Sequence, residues 1–172
     1  MLKCFNGENF EKVYKIMKES FPKSEIRSYL GQKKLLKDNR YKIYCEHQND
    51  EIIAFLCVWD LEGVYFLEHF AVLKEYRNRG IGSNLIKKVC ESLQGRIFLE
   101  VELPESDLQK RRIEFYKRCG FFYNAYEYFQ PSFGKDLPAI PLKIMTYCKQ
   151  INFEEFLEIK KKVYKEVYGQ KI

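Results

Sequence analysis

Apolar positions along this chain switch between two periods, and the switches mark its elements. Over residues 8–19, Phe10, Val13, Tyr14 and Met17 fall three and four apart, which predicts a helix. Phe21-Pro22 interrupts it. Ser24 is placed to cap a second helix to about residue 38, with Ile26, Tyr29, Leu30, Leu35 and Leu36 apolar and Gly31 weakening it. β-Branched and aromatic residues then dominate 41–46 and 52–59, and His47-Gln48-Asn49-Asp50 between them reads as a hairpin turn. A further turn at 60–63 leads into a third antiparallel strand over 64–73.

The second half continues the alternation. Leu85, Ile86, Val89, Cys90 and Leu93 predict an amphipathic helix over 83–93, ended by Gly95 in a left-handed position. A short strand over 97–103 follows, parallel to the 64–73 strand if the helix between them is a right-handed crossover. A helix is expected over 108–119, then closing strands over 121–129 and 142–148 joined by a long loop at 130–138. Asn152 with Glu155 three residues on is a capping box for a last helix, whose stripe is Phe153, Phe156, Leu157, Val163, Tyr164 and Val167. We read residues 1–148 as one domain and 149–172 as a helical appendage that docks on the domain or on a partner subunit, as in a homodimer.

Composition narrows the function classes. Apolar residues at 46% indicate a packed globular chain, and no basic leader or run of eighteen apolar residues occurs, so a cytoplasmic protein without membrane contact is expected. The six cysteines are scattered with no Cys-x-x-Cys pair and there are only two histidines, so reduced thiols and no metal site are expected. The net charge of +6 sits in clusters such as Lys110-Arg111-Arg112 that recur beside glutamates, which reads as solvated helix faces rather than a nucleic-acid surface.

The stretch Arg77-Asn78-Arg79-Gly80-Ile81-Gly82-Ser83 carries the chemistry. A strand, a loop with two glycines one residue apart and a helix start form a backbone nest for an anion, because free N–H groups and the helix dipole point at it. A dinucleotide fold would place a third glycine here after the first strand of a parallel unit, and a P-loop needs Gly-Lys-Ser/Thr. Neither pattern is present.

Four elements in order resemble the GCN5-related N-acetyltransferases: Arg77-x-x-Gly80-x-Gly82, the preceding strand from Glu68 to Val72, Leu99-Glu100-Val101, and Phe115-Tyr116-x-x-x-Gly120-Phe121. The resemblance implies a single α/β (α+β) GNAT fold, with a mixed, largely antiparallel sheet flanked by helices. It implies acetyl-coenzyme A as co-substrate, its diphosphate on the backbone of Arg79, Gly80, Ile81, Gly82 and Ser83, with Arg77 and Asn78 in the same loop. The pantetheine arm would follow Phe70, Ala71 and Val72, with the Val72 N–H as oxyanion donor. Glu100 and Glu68 are the candidates for the general base, and Tyr116 for the weak acid at the departing thiolate. Relatives often carry Asn seven residues before that tyrosine and a small residue four before it, where this chain has Gln109 and Arg112. Arg112 or Lys117 is a candidate for the 3′-phosphate.

Residues alone leave other assignments open. His69 alternates with Glu68 along the strand, so it is expected on the opposite face as a satisfied core histidine. Trp59, Tyr65, Tyr123, Tyr126, Tyr128 and Phe129 are candidates for an acceptor groove or for simple core. The activity that the resemblance implies is acetyl transfer to a primary amine of a small molecule or a peptide or protein by direct attack. The alternative is a coenzyme-A-binding regulatory protein without catalysis.

Overall fold

The computed structural model describes residues 3–132 and 138–170. The middle of the long loop expected at 130–138, residues 133–137, lies outside them. The chain forms two compact units, one running to Asp60 and including Leu67–Leu93, the other comprising Leu61–Phe66 and the chain from Gln94 onward.

In the first unit, strands β1 (Lys3–Cys4), β2 (Tyr41–Gln48), β3 (Glu51–Asp60) and the later part of β4 (Val64–Val72) lie side by side in that order. The hairpin between β2 and β3 is antiparallel and pairs Tyr41 with Trp59 and Gln48 with Glu51. Its two-residue loop, Asn49 (φ 49°) and Asp50 (φ 62°), has positive φ at both positions, the pattern whose twist matches paired strands. β3 is apolar on both faces, with every residue from Ile52 to Trp59 buried, because helices α1 (Phe10–Ser20) and α3 (Ile81–Ser92) pack on this sheet. α1 buries Phe10, Val13, Ile16 and Met17, and α3 buries Leu85, Ile86, Val89 and Cys90.

The second helix departs from expectation. Ser24 does not cap it; Ser28 does, its Oγ accepting the Gly31 N–H at 3.2 Å, and the helix α2 spans only Tyr29–Lys34 before a 3-10 turn. The carbonyls that a longer helix would have used are taken by tertiary donors. Tyr14 Oη donates to the Arg27 carbonyl at 3.1 Å, and the Glu25 carbonyl lies 2.9 Å from His69 Nε2.

In the second unit, β5 (Arg96–Glu102) and β6 (Phe121–Gln130) flank β7 (Ile140–Tyr147), both pairs antiparallel. The beginning of β4 also belongs here: Phe66 stacks on Phe98 at 4.9 Å and the Arg96 N–H reaches the Gly63 carbonyl at 3.1 Å. Gly95 does not serve as the expected helix cap, since α3 ends at Ser92 and Leu93 after it is already extended. It is glycine because a Cβ there would sit 2.3 Å from the Gly63 carbonyl oxygen. Helix α4 (Asp107–Arg118) starts at a capping box in which Ser106 and Gln109 exchange hydrogen bonds.

The last helix, α5 (Phe153–Glu166), begins at the expected Asn152–Glu155 box, with bonds of 3.0 and 2.9 Å. Its buried stripe is Phe156, Ile159 and Val163, while Phe153 and Leu157 face outward. Tyr126 stacks on Phe156 at 4.8 Å, and Lys162 Nζ donates to the carbonyls of Leu61 and Glu62.

Candidate active site

The loop between β4 and α3 is closed on itself. Arg77 Nε donates to the Val72 carbonyl at 2.9 Å, and the Arg79 guanidinium lies 5.4 Å from the centre of the Tyr76 ring. Asn78 (φ 61°) and Gly80 (φ 75°) turn the chain through left-handed conformations into the helix. Gly80 is the N-cap and supplies no side-chain cap; the first α-helical bond runs from Asn84 N–H to the Gly80 carbonyl. The N–H groups of Ile81, Gly82 and Ser83 therefore precede the helical ladder and project from a positive dipole end. Among the described residues, Asn84 Nδ2 at 3.9 Å is the one atom near where a Gly80 Cβ would stand, so the cradle is open at that point. These features fit a diphosphate. Phe70, Ala71 and Val72 form the end of β4 directly before it.

Glu68, on the same strand, has a side chain only 3% exposed. Arg27 Nη1 meets its Oε1 at 2.6 Å and Trp59 Nε1 donates to Oε2 at 3.0 Å. Burial by itself pushes this carboxyl up, but the charges of Arg27 and His69 and the Arg27 hydrogen bond outweigh it and hold the group at about 2. His69 does not lie wholly apart from Glu68, as alternation predicted. It is buried, but its Nδ1 stands 3.5 Å from Glu68 Oε2 and makes no hydrogen bond, while Nε2 meets the Glu25 carbonyl. Trp59 is 2% exposed and serves as a donor to Glu68.

Glu100, on β5, accepts from a different set. Tyr128 Oη donates to its Oε1, and Tyr168 Oη reaches Oε1 at 3.0 Å and Oε2 at 2.8 Å. Tyr128 is 1% exposed, and burial, then the adjacent carboxylate, raise its phenol well above the ordinary range. Tyr116 is buried against Phe115 and Phe121, and its hydroxyl has no hydrogen-bond partner among the described residues. Burial pushes it up to about 12, with Arg112 opposing.

Lys117 pairs with Glu114 at 2.7 Å and Arg112 pairs with Glu102, so both candidate phosphate ligands already hold a carboxylate partner. Arg27 and Tyr168 were not singled out from sequence. They lie 41 and 68 residues from the glutamates they bind, and no local spacing signals such pairs.

Comparison with known proteins identifies the family and the fold. Residues 10–121 match the acetyltransferase (GNAT) family. The Bacillus subtilis (strain 168) protein YjbC is 28% identical over 162 residues, covering 92% of this chain and 82% of its own. A GNAT-family protein of Bacteroides thetaiotaomicron superposes with a TM-score of 0.91 at 28% identity, over 99% of both chains. A Bacillus subtilis acetyltransferase solved in complex with CoA shares the fold, with a TM-score of 0.61 at 15% identity over 87% of this chain and 98% of that one. The match spans well over half of the sequence and includes β4, the glycine loop and α3, and the chain belongs to the GNAT family of acetyltransferases.

Proposed function

We propose that this chain is an N-acetyltransferase that uses acetyl-coenzyme A to acetylate a primary amine by direct attack. The observation that carries this reading is the open N-terminus of α3, with Gly80 at φ 75° and three N–H groups ahead of the first helical bond. Acetyl-coenzyme A supplies an activated thioester carbonyl. The N–H groups of Ile81, Gly82 and Ser83, with Arg79, hold its diphosphate, and the end of β4 aligns its arm.

The attacking amine must lose a proton, and an effective base titrates near the working pH. Glu68, held at about 2 by Arg27, is a poor acceptor by that criterion. Its supported role is to fix Arg27 and β4. We assign the base to Glu100, whose carboxylate is oriented by Tyr128 and Tyr168. Tyr116, at about 12, donates a hydrogen bond to the departing sulfur without giving up its proton, since an ordinary thiol titrates near about 8.5 and full transfer would run uphill.

Both candidate carboxylates already have partners, which favours as a second reading a coenzyme-A-binding protein without turnover. Calorimetry with acetyl-coenzyme A and thiol release across a panel of amines separate the two. Binding that disappears in Gly82→Leu, with turnover that falls at least about a hundredfold in Glu100→Gln, supports the enzyme, on the usual scale of general-base catalysis. Binding without turnover on every amine supports the second reading, and unchanged affinity in Gly82→Leu refutes the anion site.

A further inference from the structure

The first unit contains a cavity of about 300 Å³ between the end of α1 and the segment leading to α2. Its wall combines the aromatic rings of Tyr14 and Phe21 with Lys18, Lys23, Arg27 and Ser28, and no carboxylate among the described residues lines it. Arg27 connects it to Glu68, two residues before Phe70 on the strand that enters the anion loop.

The charges of this wall do not cancel. Arg27 is neutralised by Glu68. Lys18 lies 5.7 Å from the centre of the Tyr14 ring, and neither Lys18 nor Lys23 has a carboxylate partner among the described residues. The C-terminal dipole of α1 offsets about half a charge, which leaves the two lysines in excess. A cationic acceptor such as a diamine would meet like charge on entering, whereas an anionic group would meet two ammonium groups and the Ser28 hydroxyl.

We propose that this cavity takes the acceptor and selects a small primary amine that also carries an anionic group, a carboxylate or a phosphate. The proposal rests on the acetyltransferase reading and adds the substrate class. The volume suits a small molecule rather than a folded protein surface.

The test uses primary amines of similar length: 4-aminobutyrate, 3-aminopropyl phosphate, 4-aminobutanamide and 1,4-diaminobutane. The first two should exceed the others in kcat/KM by about tenfold or more, the factor expected from one to two partly screened charge contacts. The advantage should shrink with added salt and reverse in the Lys18→Glu/Lys23→Glu variant, whose folding is checked by thermal unfolding. The two anions distinguish carboxylate from phosphate as the preferred group. A turnover-independent arm measures binding of 4-acetamidobutyrate and 4-acetamidobutanamide by calorimetry with coenzyme A present. Turnover of the neutral amine or the diamine without an anion advantage overturns the charge selection and leaves the acetyltransferase reading standing. No turnover at all, with 4-acetamidobutyrate bound by the wild type and not by the variant, refutes that reading and keeps the selection. Equal or absent binding of both acetamides, without an anion advantage in turnover, overturns the proposal.

Discussion

Tyr168 places its hydroxyl on Glu100 from 68 residues away, 3.0 Å from one carboxylate oxygen and 2.8 Å from the other. The contact is built by the end of α5. Its buried residues Phe156, Ile159 and Val163 fix the helix, and Tyr164 Oη donates to the Phe129 carbonyl. The chain then turns through Gly169 at φ 64°, with the Tyr168 and Gln170 N–H groups bonded back to the carbonyls of Val163 and Tyr164. A helix that looks like an addition to the domain thus supplies a donor to the proposed base.

Replacing Tyr168 with phenylalanine removes that donor while keeping the ring. Hydrogen bonds to charged groups contribute roughly 1.5–3 kcal/mol, so Tyr168→Phe should destabilise by that order in urea unfolding. If Tyr168 orients Glu100, kcat should fall with KM little changed and the pH–rate profile should move. Loss of stability with kinetics and profile unchanged would reduce Tyr168 to a packing residue.

Glu68 makes stability depend on acid. Its folded carboxyl is held at about 2, below the ordinary value of 4.5, so the folded state favours the charged form. That contribution, on the order of 3 kcal/mol, is fully present above about pH 5 and is lost as pH falls from 4.5 through 2. Urea unfolding from pH 7 down to pH 3 should show the decline. In Glu68→Gln the half-buried Arg27 guanidinium loses the Glu68 carboxylate, at a cost of about 3 kcal/mol, and this part of the acid dependence should vanish. A variant as stable as the wild type at pH 7 would contradict the ion pair.

Gly95 and Gly63 separate two reasons for glycine. A Cβ on Gly95 would collide with backbone at 2.3 Å, whereas one on Gly63 (φ 81°) meets nothing within 4 Å. Gly63→Ala should therefore cost only left-handed strain, about 1–2 kcal/mol, and Gly95→Ala more, because strands must move. Thermal unfolding of the two variants should place Gly95→Ala lower, and the opposite order would contradict the close approach.

The hydrophobic pattern located β2 to β7, α1, α3, α4 and α5, because each buries a face against its neighbours and that requirement is written at short range, whereas the two-residue β1 was not read from sequence because it is too short to carry a pattern. Asn49-Asp50 and Asn152 with Glu155 were equally legible, since caps and turns are satisfied within a few residues; the Ser106–Gln109 box is just as local but was not singled out from sequence. The loop from Arg77 to Ser83 was legible as a glycine turn into α3 for the same reason, and the anion binding proposed for it rests on backbone N–H groups and glycine dihedrals, not on distant partners.

What tertiary structure decided was who pairs with whom. The segment from Phe21 to Ser28 has apolar spacing compatible with helix, yet Tyr14, His69 and Glu68 draw on its carbonyls and on Arg27 and hold it irregular. The sequence offered Glu68 and Glu100 as equivalent bases. Arg27 beside one and two phenols beside the other give the two carboxylates different surroundings, because those neighbours lie far away in sequence and are brought together only by folding.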